Sequence, residues 1–246
     1  MKWFRNTITV LWKCWFIFLT TFFVLTIGVF WTFPFAISKK TFPIAYRGIR
    51  LWAMLIFYGS GFRLCYKSNK KLAAGQPYMF ISNHTSILDI MVMAVIHKSH
   101  PIVFVGKEEL TKLPIFGTIY KRICITVNRS DTKSRTDVFK KAKEKIKQGS
   151  SIVIFPEGGI PGDAQIVLNT FKDGAFTIAI ATGLPICVYA FKGLKEMFPW
   201  SWTEGFPGKV EVELLDIIPT QGLSLRDKDK IKENGYSILF KALTNV

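Results

Sequence analysis

The sequence predicts an α/β fold, with helices flanking a largely buried sheet and an apolar helical segment at the amino terminus. Two observations support this: Cys14 to Ile37 is a stretch of 24 residues without a charged side chain, and from Tyr78 onward short apolar runs alternate with amphipathic stretches. Strands separated by helices are typical of a sheet covered by helices. We expect a membrane-associating helical leader over residues 1–71 and an α/β domain over residues 72–246.

The leader combines apolar residues with basic ones. As a helix, its uncharged stretch would extend about 36 Å at about 1.5 Å per residue, enough to cross a hydrocarbon core about 30 Å thick. Eleven Lys and Arg residues and no acid precede Asp89, in a chain whose net charge is +16. Bases beside apolar stretches rich in Phe and Trp favour a membrane surface as the partner, and no nucleic acid is expected.

Two arrangements of the leader are open. A second apolar stretch, Leu51 to Phe62, is too short to span a bilayer and contains two glycines. The leader is therefore either a spanning helix followed by a buried core helix, or a helical hairpin that enters one leaflet with its bases at the phosphate level. Both arrangements place the chain at a membrane.

The body is predicted to contain six strands and four helices. The strands, recognised as short apolar or alternating runs, are Tyr78–Ser82, Ile102–Val105, Ile123–Val127, Ser151–Phe155, Ile186–Phe191 and Lys209–Ile218. The helices, recognised by apolar residues at helical spacing, are Ser86–Ile96, Asp131–Gln148, Thr170–Thr182 and Arg226–Leu243. The second helix carries mostly lysine on its outer side and stops before Gly149, which is typical of a surface helix.

The motif with the clearest chemistry is HX4D, from His84 to Asp89, at the predicted change from strand to helix. Such junctions expose ligands in α/β proteins. A neutral imidazole can take a proton from an alcohol, and a nearby carboxylate can fix its tautomer. The competing interpretation is helix capping, in which Asp89 accepts from the Ser86 amide, and a carboxylate with two oxygens can serve both roles. Because no GxSxG motif is present, we expect direct attack by an activated substrate hydroxyl.

Two further groups of residues could bind an anion. The segment Phe155-Pro-Glu-Gly-Gly159 follows a strand, and its glycines either allow a tight turn or leave backbone N–H groups open to an oxyanion or phosphate, with Glu157 in the pocket. Lys107 and Arg129 also follow strands. Arg129 could hold a phosphate with two hydrogen bonds, or it could be a solvated surface base.

The four cysteines are scattered and show neither CxxC spacing nor a disulfide framework. They favour a reducing compartment and the absence of a metal site.

Five motifs follow one another along the chain. They are Asn83-His84-x4-Asp89, Lys107-Glu-Glu-Leu110 with Pro114-x-Phe-Gly117 and Arg129, Phe155-Pro-Glu-Gly158, Phe171-Lys-Asp-Gly-Ala-Phe176, and Leu184-Pro-Ile186. In this order they resemble the glycerolipid acyltransferase family, which includes the bacterial 1-acyl-glycerol-3-phosphate acyltransferases. The resemblance covers roughly Leu72 to Ala190, and the ordered set is far more specific than any one motif.

The resemblance implies an acyltransferase-type sheet and the transfer of a fatty acyl chain from a thioester, acyl carrier protein or acyl-CoA, to the sn-2 hydroxyl of a lysophosphatidate, in phospholipid biosynthesis. His84 would match the general base and Asp89 its orienting partner. The residues expected to bind substrate are Asn83, Lys107, Arg129, Glu157, Gly158, Gly159 and Lys172. No cofactor or metal is implied, and the expected location is the cytoplasmic face of a bacterial inner membrane.

The chain departs from the family pattern after the Pro-Glu-Gly block. The family usually continues with Thr or Ser and often a base, whereas Gly159 and Ile160 stand here. An acceptor without a phosphate monoester, such as a lyso-aminolipid, is therefore an alternative substrate. A non-catalytic basic membrane-binding protein and a thioesterase are further alternatives.

Overall fold

The computed structural model describes residues 2–38, 40–128, 131–163 and 165–244, without the side chains of residues 132, 133 and 135. In these residues the predicted α/β class is confirmed. The strands are β1 (Arg63–Lys67), β2 (Met79–Ser82), β3 (Ile102–Lys107), β4 (Ile125–Val127), β5 (Ser151–Val153), β6 (Ile186–Lys192) and β7 (Lys209–Ile218). The helices of the body are α4 (Leu88–Ile96), α5 (Phe116–Ile123), α6 (Thr132–Lys147), α7 (Gly174–Thr182), α8 (Leu194–Met197) and α9 (Lys228–Thr244).

The strands of the described residues form one mixed sheet in the order β1-β7-β6-β2-β5-β3-β4. Strands β6, β2, β5, β3 and β4 run parallel, whereas β7 is antiparallel to β6 and β1 is parallel to β7. The carboxyl ends of the five parallel strands therefore meet at one end of the sheet, where β1 and β7 begin. We call this the site end, because ligands of α/β proteins bind outside the carboxyl ends of the strands.

The central strand β2 is buried on both faces. Phe80 packs with α4 and with the leader helix α3 (Phe42–Gly59), while Met79 and Ile81 pack with α6, α7 and α9 on the opposite face. All three side chains are fully buried. This explains why the strand reads as a continuous apolar run, since a parallel strand between two helical layers has no wet face.

The six predicted strands correspond to β2–β7, and the four predicted helices to α4, α6, α7 and α9. The sequence did not indicate β1, α5 or α8. Strand β1 lies at the edge of the sheet and pairs with β7 alone, so its sequence Arg-Leu-Cys-Tyr-Lys lacks an apolar run. Residue 123, predicted as strand, is the last residue of α5. The boundary between residues 71 and 72 stays a prediction, although β1 lies on its leader side and belongs to the sheet.

The leader forms a helical hairpin. Helix α1 (Lys2–Phe23) continues through a π-helix (Val24–Thr32) into α2 (Phe33–Phe35), and α3 (Phe42–Gly59) returns beside it. In the described part of the chain, this first stretch of 34 residues is the one long and apolar enough to cross a membrane. The hairpin shape is that of the second predicted arrangement, and α3 packs against α4 of the body, as in the first. Whether the leader spans the bilayer or enters one leaflet stays a prediction.

Helix α1 exposes apolar side chains and buries polar ones. Large apolar side chains at helical spacing face outward, namely Phe4, Ile8, Leu11, Trp15, Phe18 and Phe22. Thr9 and Lys13 lie on the buried side with Phe16 and Leu19. This distribution is the reverse of that on a helix of a water-soluble protein, and it indicates an apolar partner.

Candidate active site

His84 and Asp89 are in direct contact at the site end of the sheet. His84 lies between β2 and α4, Asp89 lies in the first turn of α4, and His84 Nδ1 is 2.9 Å from Asp89 Oδ2. The imidazole side chain is 15% exposed and the carboxylate is fully buried. The two predicted catalytic side chains are thus together, and of the two only the imidazole is partly exposed. Their catalytic role stays a prediction.

Asp89 Oδ2 also begins helix α4. It accepts the backbone N–H groups of Thr85 at 2.7 Å and Ser86 at 2.9 Å, in addition to the His84 contact. The capping and orienting interpretations therefore both hold, but through one oxygen, not through two as the sequence had suggested. Asp89 Oδ1 is buried and has no hydrogen-bond partner among the described residues. Burial raises the pKa of Asp89, while the hydrogen bonds to Oδ2 oppose that shift.

The other ring nitrogen of His84 faces the open side. With Nδ1 directed at a carboxylate, the imidazole carries its proton there and presents the Nε2 lone pair outward. In the residues that the structure covers, Nε2 has no hydrogen-bond partner. The ring stacks on Phe155 with centroids 4.1 Å apart and an interplanar angle of 14°. The stacking and the Nδ1 contact together fix the direction in which Nε2 can take a proton.

Glu157, in the turn after β5, holds the His84 segment in place. Its side chain is buried, Oε1 accepts the His84 N–H at 2.6 Å, and Oε2 accepts the Asn169 N–H at 2.8 Å. Burial raises the pKa of Glu157, and these two amide hydrogen bonds oppose the rise. Because both oxygens bind backbone amides, the observed contacts are structural. Binding of a substrate by Glu157 stays a prediction.

Asn83 joins β2 to β6. Its Nδ2 donates to the Phe191 carbonyl at 2.8 Å, and its Oδ1 accepts the Phe191 N–H at 2.8 Å. The side chain is 1% exposed. Its amide is therefore occupied by the backbone of β6, which makes Asn83 a support for the adjacent His84; the predicted contact with substrate stays untested.

Gly158 and Lys172 are close neighbours beyond β5. Gly158 has φ +82°, and a Cβ placed there would lie 2.8 Å from Lys172 Cε. Only a glycine lets the lysine side chain cross the turn at this distance. Gly159 has open space around its Cα, and Lys172 is exposed. The turn thus combines backbone groups with a positive charge, as an anion site requires.

Lys107 ends β3 and is exposed. Since β5 lies between β2 and β3, its strand is about 10 Å from that of His84, at about 4.8 Å per strand. Arg129 lies outside the described residues. In the described residues the site end therefore brings together His84, Asp89, Glu157, Gly158 and Lys172, with Lys107 at its margin.

The sequence did not identify two supporting contacts. Ser86 Oγ donates to the Phe198 carbonyl at 3.0 Å, and both groups are buried. Phe155, quoted as part of a motif, forms the face on which the imidazole stacks. Phe155 could have been found from its position in the Phe-Pro-Glu-Gly block. Nothing in the sequence around Ser86 indicates that it bonds to a residue 112 positions away.

The family model described as Acyltransferase matches residues 63–192, more than half of the chain. The chain is 31% identical over 147 residues to a chloroplastic 1-acyl-sn-glycerol-3-phosphate acyltransferase of Brassica napus, covering 59% of this chain and 41% of that protein. It is 35% identical over 102 residues to the 1-acyl-sn-glycerol-3-phosphate acyltransferase of Helicobacter pylori, covering 41% of this chain and 42% of that protein. The chain spans about half the length of the curated relatives it matches, as with 48% of a chloroplastic relative from Arabidopsis thaliana.

A solved structure has the same fold. The crystal structure of PlsC, the 1-acyl-sn-glycerophosphate acyltransferase from Thermotoga maritima, aligns with a TM-score of 0.73 at 18% sequence identity. The alignment covers 100% of this chain and 97% of that one. The similarity therefore includes the helical hairpin as well as the sheet.

Proposed function

Because the chain belongs to the acyltransferase family, we propose that it is a membrane-associated O-acyltransferase, which moves a fatty acyl group from a thioester donor to the sn-2 hydroxyl of 1-acyl-glycerol-3-phosphate. The product is phosphatidate, and the reaction belongs to phospholipid biosynthesis. The contact between His84 and Asp89 carries the proposal, since it gives the chain a positioned base at the site end. The names of the relatives support the choice of acceptor.

The chemistry follows from the direction of the imidazole. His84 Nε2 takes the proton of the acceptor hydroxyl while the hydroxyl oxygen attacks the thioester carbonyl carbon. The C–S bond then breaks, and the leaving thiolate receives the proton from the imidazolium. The Asp89 carboxylate stabilises the imidazolium between these two steps and keeps the proton on Nδ1.

The turn after β5 supports the charges that develop. The Gly158 N–H already donates to the Phe155 carbonyl at 3.1 Å, so we assign the tetrahedral oxyanion to the adjacent Gly159 amide. We assign the acceptor phosphate to Lys172, which crosses Gly158, with Lys107 and Arg129 as further cations. Glu157 and Asn83 act indirectly, by holding the His84 segment.

The proposed location is a membrane, and more finely the cytoplasmic face of a bacterial inner membrane. The long apolar stretch of α1 and its outward-facing aromatic side chains support contact with lipid. Acyl carrier protein and acyl-CoA are both acidic donors, which suit a chain of net charge +16.

Ile160 supports a second candidate acceptor. Its side chain is 37% exposed just after the Gly158-Gly159 turn, where a hydroxyl or a base would bind phosphate. A lysolipid without a phosphate monoester, such as a lyso-aminolipid, fits an apolar residue at this point. Mass spectrometry of the products from a mixed panel of lysolipids separates the two candidates. If a lysolipid without a phosphate monoester is acylated as fast as lysophosphatidate, the second acceptor is favoured.

The test of the main proposal is turnover of lysophosphatidate with an acyl thioester by the purified chain. We expect His84→Ala to lose about 10²–10⁴-fold in turnover, because a general base contributes about that much. His100→Gln is the control, since His100 precedes β3 at the opposite end of the sheet and its Nε2 contacts the Ala73 carbonyl. Retention of most turnover by His84→Ala contradicts the assignment, and release of free fatty acid without an acceptor indicates a thioesterase.

A further inference from the structure

A lysine in the middle of the apolar leader helix binds a distant loop. Lys13 is 6% exposed, and its Nζ donates to the carbonyls of Pro199 and Ser201, the first at 2.8 Å. It also lies 4.8 Å from the ring centroid of Phe198. These contacts fasten α1 to the segment between α8 and β7, residues 198–208, which we call the aromatic loop.

The aromatic loop holds one ring inward and three outward. Phe198 is buried among Trp12, Phe16 and Phe62. In contrast, Trp200 is 86% exposed, and Trp202 and Phe206 are each 56% exposed. The backbone is anchored at both ends of these residues, because Phe206 N–H donates to the Met197 carbonyl at 2.9 Å and Lys13 holds Pro199.

The loop stands beside the catalytic segment. It precedes β7, which begins at the site end, and the Phe198 carbonyl accepts the Ser86 hydroxyl at 3.0 Å. Ser86 in turn donates its N–H to Asp89. One short run of hydrogen bonds therefore links the leader, the aromatic loop and the HX4D segment.

Lipid is the partner that suits these exposed rings. Lys13 joins two elements that both expose large aromatic side chains, and one of them is long and apolar enough to enter a bilayer. Trp combines an apolar ring with an N–H donor and is enriched at the level of the lipid headgroups. Ser201, Thr203 and Glu204 alternate with the rings, so the loop suits the headgroup level and not the hydrocarbon core.

We propose that the aromatic loop is a second lipid-docking element, which places Trp200 and Trp202 at the headgroup level of the bilayer that the leader enters. Together the leader and the loop turn the site end, with His84, toward the lipid surface. The inference rests on the membrane association in the proposed function, and it is independent of acyl transfer.

Tryptophan fluorescence of the full chain in vesicles tests the proposal without any substrate. The chain has seven Trp residues, so the loop is observed as the difference between the unsubstituted chain and a Trp200→Phe, Trp202→Phe variant. The vesicles contain phosphatidylglycerol and phosphatidylcholine, with or without brominated acyl chains. We expect brominated lipid to quench the difference emission and aqueous iodide to quench it several-fold less than it quenches free tryptophan.

A matched control introduces a tryptophan at the opposite end of the sheet. Leu225 follows β7 and is 58% exposed, so Leu225→Trp in the double-Phe background adds an exposed ring away from the site end. We expect iodide to quench this emission and brominated lipid to leave it unchanged. Loop emission that behaves in the same way as this control overturns the proposal.

The Trp residues that remain in the double variant separate two kinds of failure. If brominated lipid quenches the leader emission but not the loop emission, docking by the loop is wrong and membrane association stands. If it quenches neither, both are wrong. Shielding of the loop from iodide that depends on protein concentration, without quenching by brominated lipid, assigns the rings to a second copy of the chain and also overturns the proposal.

Discussion

The two halves of the site are built differently. The segment after β2, residues 83–89, is closed by hydrogen bonds: Asn83 binds β6, Asp89 Oδ2 receives three donors, and Ser86 binds the aromatic loop. The segment after β5 contains Gly158, Gly159, an exposed Ile160 and an exposed Lys172. In the proposed reaction, the first half would hold the groups that transfer the proton, whereas the second half would leave room for the acceptor.

Asp89→Asn tests the closed half and has the largest expected effect. The amide oxygen can take the place of Oδ2 and keep its three donors, but a neutral amide does not stabilise the imidazolium as a carboxylate does. We expect turnover to fall on the order of 10²–10⁴-fold with a small change in KM. Steady-state kinetics measures both.

The control for Asp89→Asn is Asp229→Asn, which removes a carboxylate that is 68% exposed on α9. Its turnover should match that of the unsubstituted chain. If Asp89→Asn also keeps its turnover, the carboxylate only caps α4.

Glu157→Gln tests the brace that joins the two halves. The new NH2 group faces either the His84 or the Asn169 amide, so two donors meet, at a cost of about 1–3 kcal/mol in the free energy of unfolding. The misplaced imidazole should lower turnover roughly 10–100-fold. Denaturant unfolding and kinetics measure the two effects.

A carboxylate at the protein surface gives the comparison for Glu157. Glu211 is 40% exposed and pairs with Lys67, so we expect Glu211→Gln to change neither quantity noticeably. If Glu157→Gln leaves the free energy of unfolding unchanged, the two hydrogen bonds of Glu157 do not stabilise the His84 segment as inferred.

Gly158→Ala tests the open half and has the smallest expected effect on turnover. A Cβ at φ +82° strains the backbone by roughly 1–2 kcal/mol and displaces Lys172. We expect KM for the phosphate acceptor to rise while kcat changes little. Kinetics with increasing acceptor concentration, together with the melting temperature, provides the measurement.

Lys172→Ala supplies the matched comparison for Gly158→Ala. If displacement of the lysine causes the rise in KM, the double variant should be no worse than Lys172→Ala alone. Additive effects on KM contradict the idea that Gly158 acts by making room for Lys172.

Local patterns predicted the parts of the fold that local forces determine. The buried strands β2, β3, β5 and β6 are apolar runs, and α6 has apolar residues at helical spacing. Asp89 is only five positions after His84, so their contact could also be predicted from the sequence. The edge strand β1 has no such pattern, because its position depends on β7, which lies almost 150 residues later in the chain.

The supports of the site could not be predicted in this way. Glu157 binds a backbone amide 73 residues away, and Asn83 bonds to a residue 108 positions away. Both contacts follow from the sheet order, in which β2 lies between β5 and β6. Lys13 meets Pro199 across 186 residues, and its burial is the opposite of what a charge in the leader would suggest. Tertiary packing decides these contacts.

One oxygen of Asp89 both begins α4 and steers the imidazole, and this has a consequence for divergence. A related protein that lost catalysis would still need the aspartate to start the helix. It could replace the histidine, because any residue except proline can donate the backbone N–H that Glu157 accepts. An aspartate retained at this position is therefore poor evidence that a distant cousin is active. Replacement of the histidine at position 84 is the better indication that a relative has lost catalytic activity.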